Sequence, residues 1–270
     1  MIIRQVTVGV DGSLNAVRAL DRAAEEAALR GAALNIVYAV PDMDVAGPVL
    51  ATAVLRVRRR SPGLTVTVLA VPGSPVRALA HHGRNAELTV VGTRGLGVLG
   101  ALMAGSVSRR LAVRTHGPLL VVRGAQGAPD GEVLFWPGCG TGVDAAAFAF
   151  AEAERRGARV RVLRAQASRY AKGRRRVPVP DDGACLSRGE RPGSGAGDSS
   201  PAVRGSLPPV RTVRELLEAT RGAVVMVVGA QYRGRGPGPV ARALLRHAHC
   251  PVVLVPGDAA ERRSSGGAEG

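Results

Sequence analysis

Two glycines, a gap and a glycine-serine pair form the most chemically suggestive pattern in this chain. Gly92-Thr93-Arg94-Gly95, nine residues on, Gly105-Ser106-Val107-Ser108 reads G-x2-G-x9-G-S. Glycines let successive backbone N–H groups turn toward an anion with no Cβ in the way. A helix opening at Ser106 would add unpaired N–H groups and the positive end of its dipole. The Ser106 and Ser108 hydroxyls can donate to phosphate oxygens. The segment therefore suits a phosphate cradle that uses no lysine. A carboxylate, Asp11, follows the first apolar run, where it can accept hydrogen bonds from a ribose or a base.

These residues need a scaffold that brings them together, and the chain supplies its pattern. Ile2 to Val10, Ala33 to Val40, Leu64 to Val71, Leu88 to Val91 and Leu119 to Val122 read as strands. Between them Leu14 to Arg30, Pro48 to Arg60, Pro75 to His82 and Ser106 to Arg114 read as helices. The first of these ends on Gly31 and the third opens on a proline. Alternation of this kind implies α/β architecture, with a doubly wound parallel sheet of Rossmann-like order 3-2-1-4-5. Ligands of such sheets lie outside the carboxyl ends of the strands, where the strand order reverses. Asp11 and the Gly92 loop then face one crevice, and Val40 offers backbone groups to an adenine edge.

The pattern returns in the second half. Glu132 to Trp136, Arg159 to Ala165, Ala223 to Val228 and Val252 to Val255 read as strands. Val143 to Arg156, Thr212 to Arg221 and Pro239 to His247 read as helices. Gly105-Ser106-Val107-Ser108-Arg109-Arg110-Leu111 answers to Gly238-Pro239-Val240-Ala241-Arg242-Ala243-Leu244. Asp11 to Gly31 has the spacing of Pro137 to Gly157. Such self-similarity marks an internal duplication. The expected organisation is two tandem domains, residues 1–124 and 131–257, the second degenerate. Residues 168–208, rich in Gly, Ser, Pro and Arg, read as a disordered insertion that leaves only a poor third-strand signal near Ala202 to Leu207. Residues 258–270 read as a disordered tail.

Val8-Gly9-Val10-Asp11-Gly12-Ser13, with the glycine-serine loop, resembles the ATP-binding type of the universal stress protein family. The resemblance covers residues 1–123 closely and 131–257 loosely. It implies a cofactor-binding role for Asp11 and Val40 at the adenosine end and for Gly92 and Gly95 at the ribose and phosphates. It gives Gly105, Ser106, Val107 and Ser108 the phosphates. The implied cofactor is ATP, with a divalent Mg or Mn at its phosphates. Domains of this family pair through their last strand. Leu119 to Val122 and Val252 to Val255 would then pair, within one chain as a pseudo-dimer or between chains as a homodimer. In the second copy Pro137 stands for Asp11, Gln166 for Val40 and Pro239 for Ser106, and Gly229 to Gly238 is four residues shorter than its counterpart. The nucleotide is expected in the first domain only.

Composition narrows the functional classes. Lys172 is the sole lysine in a chain of 37 basic and 21 acidic residues with net charge +16. The arginines are scattered, and neither Arg58-Arg59-Arg60 nor Arg174-Arg175-Arg176 is interleaved with stacking aromatics, so no specific nucleic-acid partner is expected. Three cysteines without ligand spacing suit a reduced, cytoplasmic compartment. No apolar run is long enough for a signal peptide or a membrane span. Gly95 to Gly100 is a literal G-x-G-x-x-G, but it follows the fourth strand and Thr115 to Gly124 holds no acid, against a dinucleotide fingerprint. His247-Ala248-His249-Cys250 reads as a basic helix end, and no metal site is expected. Without a P-loop lysine, a nucleophile elbow or an acid pair, no catalytic residue is expected. An ATP-binding stress-response or regulatory protein is the leading reading. A slow ATPase or nucleotidyl-type α/β enzyme and a nucleotide-free interaction module are the alternatives.

Overall fold

The computed structural model describes residues 4–40, 46–93, 106–123, 131–137, 143–163, 212–230 and 237–257. They fall into two compact units, one on each side of the segment 124–130. In the first, β1 (Gln5–Val10), β2 (Ala33–Val40), β3 (Val66–Pro72), β4 (Leu88–Gly92) and β5 (Leu119–Val122) form a parallel sheet in the order β3-β2-β1-β4-β5. α1 (Leu14–Arg30), α2 (Ala46–Arg60), α3 (Pro75–His82) and α4 (Ser106–Arg114) make the crossovers. The central strands are near-continuous apolar runs because helices cover both faces. Val6, Val8, Leu34, Ile36, Leu88, Val90, Leu119 and Leu120 lose all contact with water. β3 differs: it lies at the end of the strand order, and Val68 and Leu69 are exposed on it.

The second unit repeats the plan with one strand fewer among its described residues. β6 (Glu132–Trp136), β7 (Val160–Val162), β8 (Ala223–Ala230) and β9 (Val252–Pro256) run parallel in the order β7-β6-β8-β9. They are served by α5 (Val143–Arg156), α6 (Val213–Ala219) and α7 (Pro239–His247). This is the order 2-1-4-5 of the first unit. The third-strand candidate at Ala202 to Leu207, the insertion 168–208 and the tail 258–270 lie outside the described residues. Trp136, the only tryptophan of the chain, is buried in this unit.

Most element ends fall where sequence chemistry places them, and the exceptions have local causes. Leu64 donates its N–H to the Ser61 carbonyl at 3.1 Å, a turn that holds it out of β3 and delays the strand to Val66. α2 begins at Ala46, ahead of Pro48, because a proline in the first turn forfeits only an N–H with no intrahelical partner. α6 is shorter than expected: Thr212 caps it, accepting from the Glu215 N–H at 3.2 Å, and Thr220–Gly222 tighten into a 3-10 turn. β7 stops at Val162, though Leu163 still donates to the Phe135 carbonyl at 2.8 Å.

The two units share a Glu–Arg pair four residues apart on the helix, fully buried in the first and part-exposed in the second. On α1, Glu26 binds the Arg30 guanidinium one turn on and accepts from Arg22 Nε at 2.9 Å, with all three residues buried. On α5 the equivalent Glu152 accepts from Arg156 Nε at 2.7 Å. Each helix then ends on a glycine with φ of 58°, Gly31 and Gly157, in the left-handed conformation that satisfies the final carbonyls. Removing one partner of a buried pair strands the other charge away from water, which costs about 3–5 kcal/mol. Glu26→Ala should destabilise the chain on that scale in urea unfolding. Glu152→Ala should cost less, because the Arg155 and Arg156 side chains keep 26% and 11% of their exposure while that of Arg30 keeps 1%. Equal midpoints for Glu26→Ala and the parent would contradict a buried pair that the fold needs.

Candidate functional site

A crevice opens at the carboxyl ends of β1, β2 and β4, where the strand order reverses on either side of β1. The strand ends that line it are Gly9 and Val10 on β1, Val37 and Ala39 on β2, and Val91 and Gly92 on β4. Gly9 is small for a reason: a Cβ there would lie 2.7 Å from Leu79 Cδ1 on α3. α3 thereby comes down onto the sheet, and its Pro75 and Leu79, one helical turn apart, close one side of the crevice. The opposite side is the first turn of α1, through Ser13, Asn15 and Ala16, with Val107 entering from the first turn of α4.

Two helices thus begin at one crevice. Their first N–H groups have no intrahelical partners, and their dipoles present positive ends. Ser13 caps α1, its hydroxyl accepting from the Ala16 N–H at 3.2 Å. Asp11 therefore is not that cap. It sits just upstream and accepts from the Ser13 N–H at 3.0 Å, in a turn that Gly12 completes with φ of 76°. That bond holds Oδ1 of an exposed carboxylate in a fixed orientation at the mouth. A fixed acceptor beside two helix N-termini can grip opposite ends of one molecule, hydroxyl or amine donors at the carboxylate and anionic oxygens at the N–H groups. The space within the crevice is only about 80 Å³. A ligand of nucleotide size would lie along the open crevice.

Of the residues singled out from the sequence, Asp11, Gly92 and Val107 line this crevice. Val40 does not. Its side chain is buried and its carbonyl accepts from the Gly73 N–H at 2.9 Å, while its neighbour Ala39 faces the cleft. Ser106 opens α4, and Ser108 is buried one helical step in. Gly95 and Gly105 lie outside the described residues. Asn15, Leu79, Pro75 and Ala39 line the crevice without having been singled out. The pattern Asp11-x3-Asn15 on a helix start could have flagged Asn15, but apolar wall residues carry no such mark. Among the described residues no three His, Cys, Asp or Glu side chains are grouped to hold a metal.

Gly92 has a second role that its place in a glycine loop hides. A Cβ there would fall 2.5 Å from the Asn15 carbonyl oxygen, so the end of β4 touches the backbone of α1. Gly229, at the same place on β8, would put a Cβ 2.2 Å from the Pro137 carbonyl oxygen. Pro137 directly follows β6, so in the second unit the glycine is pressed against the end of the neighbouring strand instead of a helix; in both units a close backbone approach requires it whatever the ligand. Gly92→Ala and Gly229→Ala should each lower stability by about 1–3 kcal/mol in urea unfolding, the usual cost of forcing atoms into a packed contact. A Gly92→Ala chain as stable as the parent would show that the contact is not close.

Comparisons with known proteins find relatives in sequence and in fold. The model of the universal stress protein family matches residues 3–60 and 48–123. A universal stress protein of Thermus aquaticus is 35% identical over 138 residues, covering 45% of this chain and 100% of that protein. A universal stress protein of Mycolicibacterium smegmatis is 32% identical over 177 residues, covering 56% of this chain. That match spans 60% of the relative's length. In fold, the crystal structure of a universal stress protein from Archaeoglobus fulgidus matches with a TM-score of 0.64 at 13% identity, over 94% of this chain and 98% of that one.

Proposed function

This chain belongs to the universal stress protein family, and from that premise we propose that it is an ATP-binding regulatory protein that holds its nucleotide in the first unit alone. The observation that carries the reading is the crevice itself: the fixed carboxylate of Asp11 faces the N-terminal turns of α1 and α4 across the ends of β1 and β4. In this reading Asp11 accepts hydrogen bonds from the adenosine end and Asn15 lines the route between. The start of α4, with the glycine-serine loop before it, receives the phosphates. Any divalent cation enters with the phosphates, since magnesium is commonly held by one or two carboxylates and phosphate oxygens together. Among the described residues none is placed as a base for phosphoryl transfer, so the nucleotide is read as a ligand whose occupancy stabilises one conformation, and not as a substrate.

The second unit is read as empty for physical reasons. Pro137 in place of Asp11 removes the acceptor. Pro239, the first residue of α7, lacks both a hydroxyl and an N–H, and no side chain caps that helix at Gly238. Its start therefore offers one donor fewer to an anion than that of α4.

Calorimetry on the whole chain should give one ATP per chain. Asp11→Ala should weaken binding about 10–100-fold, the loss expected for a hydrogen bond to a charged group. Absence of heat with the parent chain would remove the nucleotide reading, and two nucleotides per chain would remove the single-site one. Incubation with ATP and magnesium should release no phosphate beyond the buffer control; release that Asp11→Ala abolishes would favour the enzyme.

A further inference from the structure

α3 has two working faces, and the crevice uses one of them. Pro75 and Leu79 look into the crevice; Ser74, Arg77 and His81, at steps of three and four, share another side. With His82, Val71 near the end of β3 and Gly73 just beyond it, they line a separate open groove of about 290 Å³. Its polar side chains are all hydrogen-bond donors or can become so: a guanidinium, two imidazoles and a hydroxyl. The Ser74 hydroxyl stands at the start of α3 without making the usual cap bond, so it is not committed to the helix. No carboxylate is among the lining residues described.

The surroundings do not neutralise this cluster. β1, β2 and β3 bring no charged side chain, and Tyr38 is their only titratable group. The turn after α3 brings Arg84, and α4, packed beside α3, brings Arg109, Arg110 and Arg114. Every charged group of the neighbouring elements is positive. His81 and His82 meet edge to face with ring centroids 5.1 Å apart. Burial, and then the neighbouring His81, push the His82 pKa below its ordinary value.

We propose that Ser74, Arg77, His81 and His82 form a binding site for a small phosphate-type dianion on the side of α3 away from the crevice. Arg77 supplies a permanent fork of donors, and the two imidazoles supply charge on demand. At a fixed concentration of the dianion the site tightens as pH falls, because the anion and the imidazole protons stabilise each other. By linkage, bound anion raises the histidine pKa values. This site does not depend on the nucleotide reading, and anion binding in the crevice leaves these imidazoles untouched.

The direct test is proton NMR of the five histidines of the full chain, titrated against pH in sodium chloride and in inorganic phosphate at equal ionic strength. The His81 and His82 midpoints should rise in phosphate by about half a pH unit or more, which corresponds to a roughly threefold preference of the anion for the protonated form. His116, His247 and His249 are internal controls and should stay in place. Arg77→Gln, a change at an exposed position, should abolish most of the rise without altering the circular dichroism. His81→Asn should reduce the rise seen at His82. A uniform shift of all five histidines would show general screening of a chain of net charge +16, and overturn the site. So would a full rise retained in Arg77→Gln.

Discussion

The approach of β4 to the first turn of α1 is the contact on which the crevice depends. The absence of a side chain at Gly92 lets the strand end reach the Asn15 carbonyl. That contact sets where α1 starts relative to the sheet, and so where its unpaired N–H groups point. It also fixes the distance between Asp11, which leads into α1, and the end of β4. Gly9 performs the matching service on the other flank by admitting Leu79. Two missing side chains thus set both walls.

The duplication separates what folding requires from what binding requires. Glu26 and Glu152, Gly31 and Gly157, Gly92 and Gly229 hold equivalent places in the two units, although Phe148 replaces Arg22 and Gly229 meets Pro137 where Gly92 meets Asn15. Asp11 and Pro137 do not, nor do Ser106 and Pro239. The retained set is buried, sterically constrained or conformationally left-handed. The lost set sits at the carboxyl ends of strands, where only a ligand would notice. The two units thus share their core positions and differ at their rims.

Much of this was legible in the residues. Parallel strands announce themselves as runs such as Val6 to Val10 or Leu119 to Val122, and the helix stops at Gly31 and Gly157 follow from chirality. The sheet order followed from the alternation and from the rule on crossovers. Asp11 and Gly92 were found because carboxylates at strand ends and glycine spacings carry chemical meaning. The apolar walls were not found, since Leu79, Ala39 and Pro75 look like any core residue until α3 is docked. The hydrogen bond from Ser13 to Asp11, and the tie from Gly73 to the Val40 carbonyl, are facts of backbone direction that side-chain identity does not encode. The spare face of α3 stayed hidden for the same reason: His81 and His82 read as a helix end until the groove beside β3 gives them company.

Trp136 lends the molecule an unplanned optical asymmetry. The lone indole is buried on β6, while the first unit's described residues contain Tyr38 and no tryptophan. Emission excited at the red edge therefore reports on the second half of the chain and is blind to the first. Paired with far-ultraviolet ellipticity, which averages over both halves, one label-free sample distinguishes concerted melting from sequential melting. The unit with the changed rim serves as the lamp, and the unit with the crevice is seen by difference.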